Sequence, residues 1–254
     1  MQDVQVQLAE RALELLALPP NTSKLIMDIG CGTGISGLVL QKAGHTWLGL
    51  DISEHMLITG KKSGEQEGDL MRHDMGTGLG FRSGIFDGVI SISALQWLCN
   101  ADSSAANPVT RINRFFNSLY ACMVRGGRAV FQFYPENSQQ IELLTSAALR
   151  SGFTGGLLVD YPNSTKAKKY FLVLFAGTLP GQHMPKALGA EQSSDTVSFV
   201  GQRDRMRKSK GKKSDRAPVK SKEWILNKKE RQRKQGKETR PDSAYTGRKR
   251  RPKF

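Results

Sequence analysis

Cysteine is scarce in this chain of 254 residues, which holds only Cys31, Cys99 and Cys122. The number is odd and no pair has C-x-x-C spacing, which excludes a disulfide framework and a cysteine zinc site, so no metal centre is expected. Reduced thiols fit an intracellular compartment. Long apolar runs are missing too, and none approaches the ~20 residues of a membrane span. The N-terminus, Met1-Gln-Asp-Val-Gln-Val-Gln-Leu8, has no basic stretch followed by an apolar one, which argues against a secretory leader. Excess positive charge is absent from most of the chain. Residues 1–200 hold 16 Lys/Arg against 17 Asp/Glu, whereas residues 201–254 hold 22 against 6, so the net +15 comes entirely from the end. That division implies a near-neutral folded domain carrying a basic arm, not a uniformly basic nucleic-acid groove.

What is present is a repeated alternation of strand and helix patterns. Leu8, Ala12, Leu15, Leu16 and Leu18 have the spacing of an amphipathic helix over 5–18, stopped by Pro19-Pro20. Leu25–Ile29 reads as a buried strand, 35–43 as a helix, Thr46–Asp51 as a strand, and a further helix begins at Glu54. A third strand is expected to end at His73-Asp74-Met75. Phe86–Ile92 reads as the fourth strand, 112–124 as a helix broken at Gly126-Gly127, 128–134 as a strand and 139–150 as a helix. Residues 156–160 and 170–176 have no helix between them and read as an antiparallel pair at the sheet edge. The expected fold is α/β and Rossmann-like, a mostly parallel sheet with an antiparallel terminal pair. The expected division is 1–177 for this domain, 178–200 for a linker and 201–254 for a basic, largely disordered tail. Within that tail, 221–234 carries Trp224, Ile225 and Leu226 and is able to form a helix against something else.

The first strand runs into Asp28-Ile29-Gly30-Cys31-Gly32-Thr33-Gly34. Gly30, Gly32 and Gly34 allow a tight turn and a close backbone approach to a ligand, and the following helix N-terminus offers unpaired N–H groups. Dinucleotide sites use related loops, so the neighbours decide. Asp28, before the loop, suits the amino group of a methionine moiety. Asp51, ending the second strand, suits both ribose hydroxyls. Asp74 can accept from the adenine exocyclic amine, and Met75 can lie against its ring. Ile52 and Ser91 complete the set of cofactor-lining positions. A lone Asp at a strand end is more often a cap or turn residue, and Met75 alone would be core filler. The composite points to S-adenosyl-L-methionine and to a class I methyltransferase.

The segment Ser93-Ala-Leu-Gln-Trp-Leu-Cys-Asn100 follows the fourth strand, whose end opens onto the active site. It lacks the N-P-P-Y-like tetrapeptide of adenine amine methyltransferases. Cys99 lacks the proline context of a cytosine C5 nucleophile and reads as a buried structural thiol. No His or Glu here offers a general base, which suits a target such as guanine N7, whose in-plane lone pair needs no deprotonation. Trp97 is available to stack on a base and Gln96 to read its edge; a core aromatic is an equally good reading of Trp97.

The chain resembles the eukaryotic 18S rRNA guanine-N7 methyltransferases, the family of the Williams–Beuren-region methyltransferase and its yeast bud-site-selection homologue. The resemblance runs through Arg11–Leu16, Asp28–Gly34, Gly49–Ser53, Glu67–Met71, Asp74–Gly78, Phe86-Asp87 and Ile90–Ala94. It continues through Gln96–Asp102, Arg114–Asn117, Leu119-Tyr120, Gln132–Pro135, Gly152-Phe153, Gly155-Gly156 and the terminal Tyr245–Arg251 with Phe254. It implies S-adenosyl-L-methionine-dependent methylation of a guanine in small-subunit rRNA during ribosome biogenesis. It also implies a tail that anchors the enzyme to the ribosome precursor and a small zinc-binding activator subunit covering an apolar face. Nucleus and nucleolus are the implied compartments, the cytoplasm being left open, and Arg248–Arg251 suits import. Family members carry a few dozen residues ahead of the first helix, including an aromatic-rich segment thought to fold over the cofactor; here Met1 stands almost at that helix. The alternative is an assembly factor that binds the small subunit with methylation dispensable or lost. A small-molecule or protein methyltransferase would have no use for the tail. The tail's bland reading is a solvated charge run serving import; its functional reading is phosphate binding, with Trp224 and Tyr245 able to stack.

Overall fold

A computed structural model describes residues 2–100, 107–164, 167–177, 182–189 and 221–243. They fall into two units, Met1–Gly201 and Gln202–Phe254. The first runs α1 (Gln2–Leu16), β1 (Leu25–Ile29), α2 (Ile35–Lys42), β2 (Thr46–Asp51), α3 (Glu54–Ser63) and β3 (Asp69–Arg72). It continues through β4 (Phe86–Ile92), α4 (Pro108–Cys122), β5 (Met123–Phe133), α5 (Ser138–Arg150), β6 (Thr154–Asp160) and β7 (Lys169–Phe175). Short 3-10 turns occupy Met75–Thr77 and Leu95–Cys99.

The seven strands lie in the order β3-β2-β1-β4-β5-β7-β6. All pairs are parallel except those of β7, which runs antiparallel to both β5 and β6. This is the architecture expected from the alternation. The strand order reverses between β1 and β4, and in an open α/β sheet the crevice at the carboxyl ends of those strands takes the ligand. Alternate residues of the strands face two helical layers. Ile26, Ile90, Val130 and Val173 pack with Leu8, Ala12 and Leu15 of α1. Met27, Val89, Ala129 and Leu172 pack with Phe115, Phe116 and Leu119 of α4 and with Leu144 of α5.

The two largest departures from the expected boundaries are at α4 and β5; the others, including the end of β3 at Arg72 where His73–Met75 was expected, are of three residues or fewer. The fourth helix spans 108–122, not 112–124, because Asn107 caps it by accepting from the Thr110 N–H at 3.2 Å and Pro108 occupies its first turn. β5 starts at Met123, well before Arg128. Gly126, at φ +85°, and Gly127, where a Cβ would meet the Asp87 carbonyl at 2.8 Å, let the strand pass an irregularity opposite Phe86–Gly88 without breaking.

Residues 182–189, inside the segment read as a linker, are held against α1 and β6. Asp160 is buried, and its carboxylate accepts from the Arg11 guanidinium (2.9 and 3.3 Å) and the Leu188 N–H (2.8 Å). Arg11 also donates to the Lys186 carbonyl at 3.0 Å. In the second unit α6 spans Lys222–Lys234, capped by Ser221, with Lys229 and Arg233 both donating to Asp242. Tyr245, the Arg248–Arg251 cluster and most of 178–220 lie outside the described residues. No helix among those described is long and apolar enough to cross a membrane.

Trp47 locks α2 behind the glycine loop. Its ring fills a slot left by Gly37, Gly49 and Gly68, where an added Cβ would come within 2.3, 2.9 and 2.2 Å of it. Alanine in place of a helical glycine ordinarily stabilises by about 1 kcal/mol. At Gly37 the sign reverses: Gly37→Ala is expected to destabilise by about 1–3 kcal/mol through overpacking, measured by urea unfolding.

Candidate active site

The glycine loop is built by three left-handed residues, Gly30 (φ +74°), Gly32 (+56°) and Gly34 (+82°). The Gly30 and Cys31 N–H groups donate to the Leu50 carbonyl, tying the loop to β2. A Cβ on Gly30 would lie 2.2 Å from the Ala94 Cβ, so only glycine allows the loop to touch the turn after β4. Gln66, from the loop before β3, donates to the Thr33 carbonyl and fills the space beside Gly34.

Asp51 accepts from the Gly32 N–H and the Ser53 N–H, both at 2.8 Å, one on each carboxylate oxygen. It is thereby oriented at the end of β2 with lone pairs remaining for hydroxyl donors. Ile52 follows with 63% of its surface exposed. Asp28 is fully buried. One of its oxygens accepts from Ser36 Oγ at 2.6 Å, and the other, Oδ1, has no partner. Burial pushes the Asp28 carboxyl up to about 7; the charge of Asp51 acts in the same direction and Ser36 against it. An orphaned carboxylate oxygen beneath a glycine cradle fits a ligand that brings a cation, as the methionine end of S-adenosyl-L-methionine does.

Asp74 is differently occupied than expected. It takes both Nη groups of Arg111 at 2.9 Å and the Gly76 N–H at 2.9 Å. Partial burial opposes ionisation, but the Arg111 fork and the Gly76 N–H outweigh it and hold the carboxyl below its usual range. Three of about four acceptor positions are filled, which leaves room for one further donor. Met75 is half-buried against the core. Ser91 is corrected: it is fully buried and its hydroxyl donates to the Ile29 carbonyl at 2.7 Å. It staples β4 to β1 beneath the loop and does not line the groove.

The turn after β4 is the second half of the site. Ser93 sits at φ +57°, a strained conformation for a non-glycine residue, held by its N–H on the Gln132 carbonyl (2.9 Å) and its hydroxyl on Gln132 Oε1 (2.8 Å). Gln96 Nε2 donates to the Ser93 carbonyl at 2.7 Å, while its Oε1 is buried without a partner. Trp97 is 61% exposed, which settles the choice against a core aromatic. Cys99 is half-buried, its thiol pushed up by burial and then by the Glu136 charge, unlike an activated nucleophile. Sequence reasoning missed Ser36, Gln66, Arg111 and Gln132. The partnership of Ser93 with Gln132 carried no signal because it is made only when β4 and β5 pair.

Comparison with known proteins agrees with this geometry. A model described as "Methyltransferase domain" matches residues 27–131, and one described as "Methyltransferase involved in Williams-Beuren syndrome" matches 174–252. The chain is 54% identical to a probable 18S rRNA (guanine-N(7))-methyltransferase of Dictyostelium discoideum, over 99% of this chain and 90% of that one. It is 52% identical to the 18S rRNA (guanine-N(7))-methyltransferase of Mus musculus, over 100% and 89%. This chain belongs to the 18S rRNA (guanine-N7)-methyltransferase family. Its cofactor is S-adenosyl-L-methionine. Among solved structures, a S-adenosylmethionine-dependent methyltransferase from Mesorhizobium loti aligns with TM-score 0.53 at 18% identity, over 69% of this chain and all of that one. A Haloferax volcanii methyltransferase in complex with the Trm112 activator aligns with TM-score 0.51 at 17% identity, over 70% and 92%. Both share the fold.

Asp28 makes the ligand-free protein pH-sensitive. Its folded pKa lies above the unfolded one, so the folded state binds the extra proton, and stability is lost as pH rises through about 7. The thermal midpoint of ligand-free protein is expected to fall between pH 6 and 8, and Asp28→Asn to flatten that slope, both measured by calorimetry.

Proposed function

We propose that this chain transfers a methyl group to N7 of a guanine in small-subunit rRNA, and that it does so by positioning without a general base. The observation that carries this reading is Trp97, a large aromatic left 61% exposed on the turn that Gly30 touches through Ala94. The relatives' names agree on the reaction, and the assembly-factor alternative is not favoured.

Bound S-adenosyl-L-methionine supplies an electrophilic methyl on a sulfonium sulfur. Guanine N7 already holds an in-plane lone pair at neutral pH, so the residues need only bring it into line and exclude water. Trp97 stacks on the base. Gln96 has one amide hydrogen committed to Ser93 and a second free to donate to guanine O6, beside N7. The strained Ser93, fixed at two points by Gln132, holds Gln96 in that orientation. Asp28, Gly30, Gly32, Gly34, Asp51, Ile52, Asp74 and Met75 hold the cofactor; the unpaired Asp28 oxygen supports this for its methionine end, and Asp51 with exposed Ile52 for its nucleoside end.

We further propose that the basic tail grips the RNA, and that a small zinc-binding activator covers the β3 edge. In support of the second, β3 is short and terminal in the sheet, and Met56 and Ile58 of neighbouring α3 are 40% and 46% exposed. Nuclear and nucleolar action during ribosome biogenesis follows from the same reading.

Trp97→Ala is expected to lower kcat/KM for N7-methylguanine formation about tenfold or more, the worth of one base–aromatic stack, while cofactor affinity stays within twofold; Trp97→Phe retains most activity. An unchanged kcat/KM in Trp97→Ala sinks the stacking role. Deleting residues 201–254, which carry 22 Lys/Arg against 6 Asp/Glu, is expected to weaken binding to pre-ribosomal RNA and flatten its salt dependence. Equal affinity at several salt concentrations would exclude a tail grip.

A further inference from the structure

The catalytic unit carries two lysines that its own chemistry leaves uncompensated. β7 begins at Lys169, and its register places Tyr170 opposite Phe133, the last residue of β5. Because β7 is antiparallel to β5, Lys168 and Lys169 stand at the carboxyl end of the parallel strands, the end that holds the cofactor loop and Trp97. Lys168 immediately precedes the strand and Lys169 is its first residue, so both sit at this end, and each lies over a different ring. The Lys169 ammonium is 5.4 Å from the centroid of Tyr134, and that of Lys168 is 5.4 Å from the centroid of Tyr170. These are cation–π distances. Tyr134 is 43% exposed, in the segment directly after β5.

Neither ammonium group makes an ion pair or hydrogen bond among the described residues, although the Lys168 backbone N–H donates to the Ser164 carbonyl at 3.0 Å. Asp160 pairs with Lys169 in the β6–β7 register, but its buried carboxylate is given to Arg11 and the Leu188 N–H. The charge is therefore local and unneutralised on a domain whose first 200 residues hold 16 basic against 17 acidic side chains. From β4, which ends at the Trp97 turn, to β7 is two strand spacings, about 10 Å. That is within reach of a nucleotide next to one held at Trp97.

We propose that Lys168, Lys169 and Tyr134 form a docking strip for single-stranded RNA flanking the target guanine, with phosphates on the ammonium groups and a neighbouring base on the exposed Tyr134 ring. Ammonium groups and an open aromatic are the pair of features that grip a single strand without reading its sequence. The strip is separate from the tail and lies on the catalytic unit itself. It rests on the reading that the substrate is RNA.

The test uses the full-length chain and a short single-stranded RNA in fluorescence anisotropy over a series of KCl concentrations. Lys168→Ala/Lys169→Ala is expected to make the log–log salt dependence shallower by about 1.4, two phosphate contacts at about 0.7 each. Tyr134→Ala is expected to weaken binding about tenfold with the slope kept, and Tyr134→Phe to restore it. Cofactor affinity and thermal midpoint serve as the folding check for each variant. Lys61→Ala/Lys62→Ala, removing the same charge from α3, is expected to leave the slope near the wild-type value. An unchanged slope in the first variant, or an equal loss in the α3 control, overturns the strip and leaves general electrostatics or a protein partner. Mapping N7-methylguanine in small-subunit rRNA separates the two readings. A mark made by the wild-type chain together with an unchanged slope defeats the strip alone. A missing mark defeats the proposed target nucleotide, while a slope difference still supports RNA at the strip.

Discussion

A Cβ at position 30 would stand 2.2 Å from the Cβ of Ala94. That approach, possible only for glycine, fastens the loop after β1 to the turn after β4, and the working surface of the protein depends on it. On the proposed assignment the loop serves the cofactor and the turn the substrate. They meet because β1 and β4 are neighbours at the point where the strand order reverses. Ser91 reinforces the join from beneath by donating to the Ile29 carbonyl. The two segments are thus joined through backbone proximity, with no long flexible side chain as intermediary.

Charge in the site is arranged to be incomplete. Asp51 spends one lone pair of each oxygen on the backbone that shapes the loop, so the group that suits the ribose also holds the loop it serves. Asp28 carries the opposite balance. It is buried, satisfied on one side by Ser36 and unsatisfied on the other. A buried carboxylate with an orphan oxygen costs stability in the folded protein and is offset when a cation arrives. Part of the binding energy for a cationic cofactor is therefore set by the protein before the cofactor is present.

Much of this was readable in the sequence, and the parts that were not share a cause. β1, β2 and β4 were placed to the residue because each is a short, largely apolar run between polar or glycine-rich segments. The antiparallel terminal pair was readable because the gap between its strands is too short for a crossover helix. β5 was truncated because Gly126-Gly127 looks like a break in one dimension and is an irregularity within a pairing in three. The third strand was expected to reach His73–Met75 but stops at Arg72, because Asp74 caps the following 3-10 turn, and the Arg111 partner of Asp74 lies on a helix 37 residues away. Ser91 was assigned to the groove because strand alternation does not say which face carries the ligand. Trp97 stayed ambiguous because composition cannot separate a core ring from one left outside.

The division of charge between the two parts of the chain bears on how an enzyme proposed to work without a general base can be specific. Transfer to N7 asks for alignment more than for proton chemistry, so discrimination among many exposed guanines cannot come from the reacting groups. In the proposed roles, Trp97 would accept any base face, and the second amide hydrogen of Gln96 would be one donor against one acceptor. The further selectivity has to come from holding the surrounding strand. A near-neutral catalytic unit is useful for this, because a uniformly basic surface would bind RNA in many registers. On the proposed reading, charge on the catalytic unit is confined to the small cluster at the start of β7, which limits the registers in which a strand can lie across that unit. Positioning is then the common principle at both scales, from the backbone contact at Gly30 to the path of the RNA.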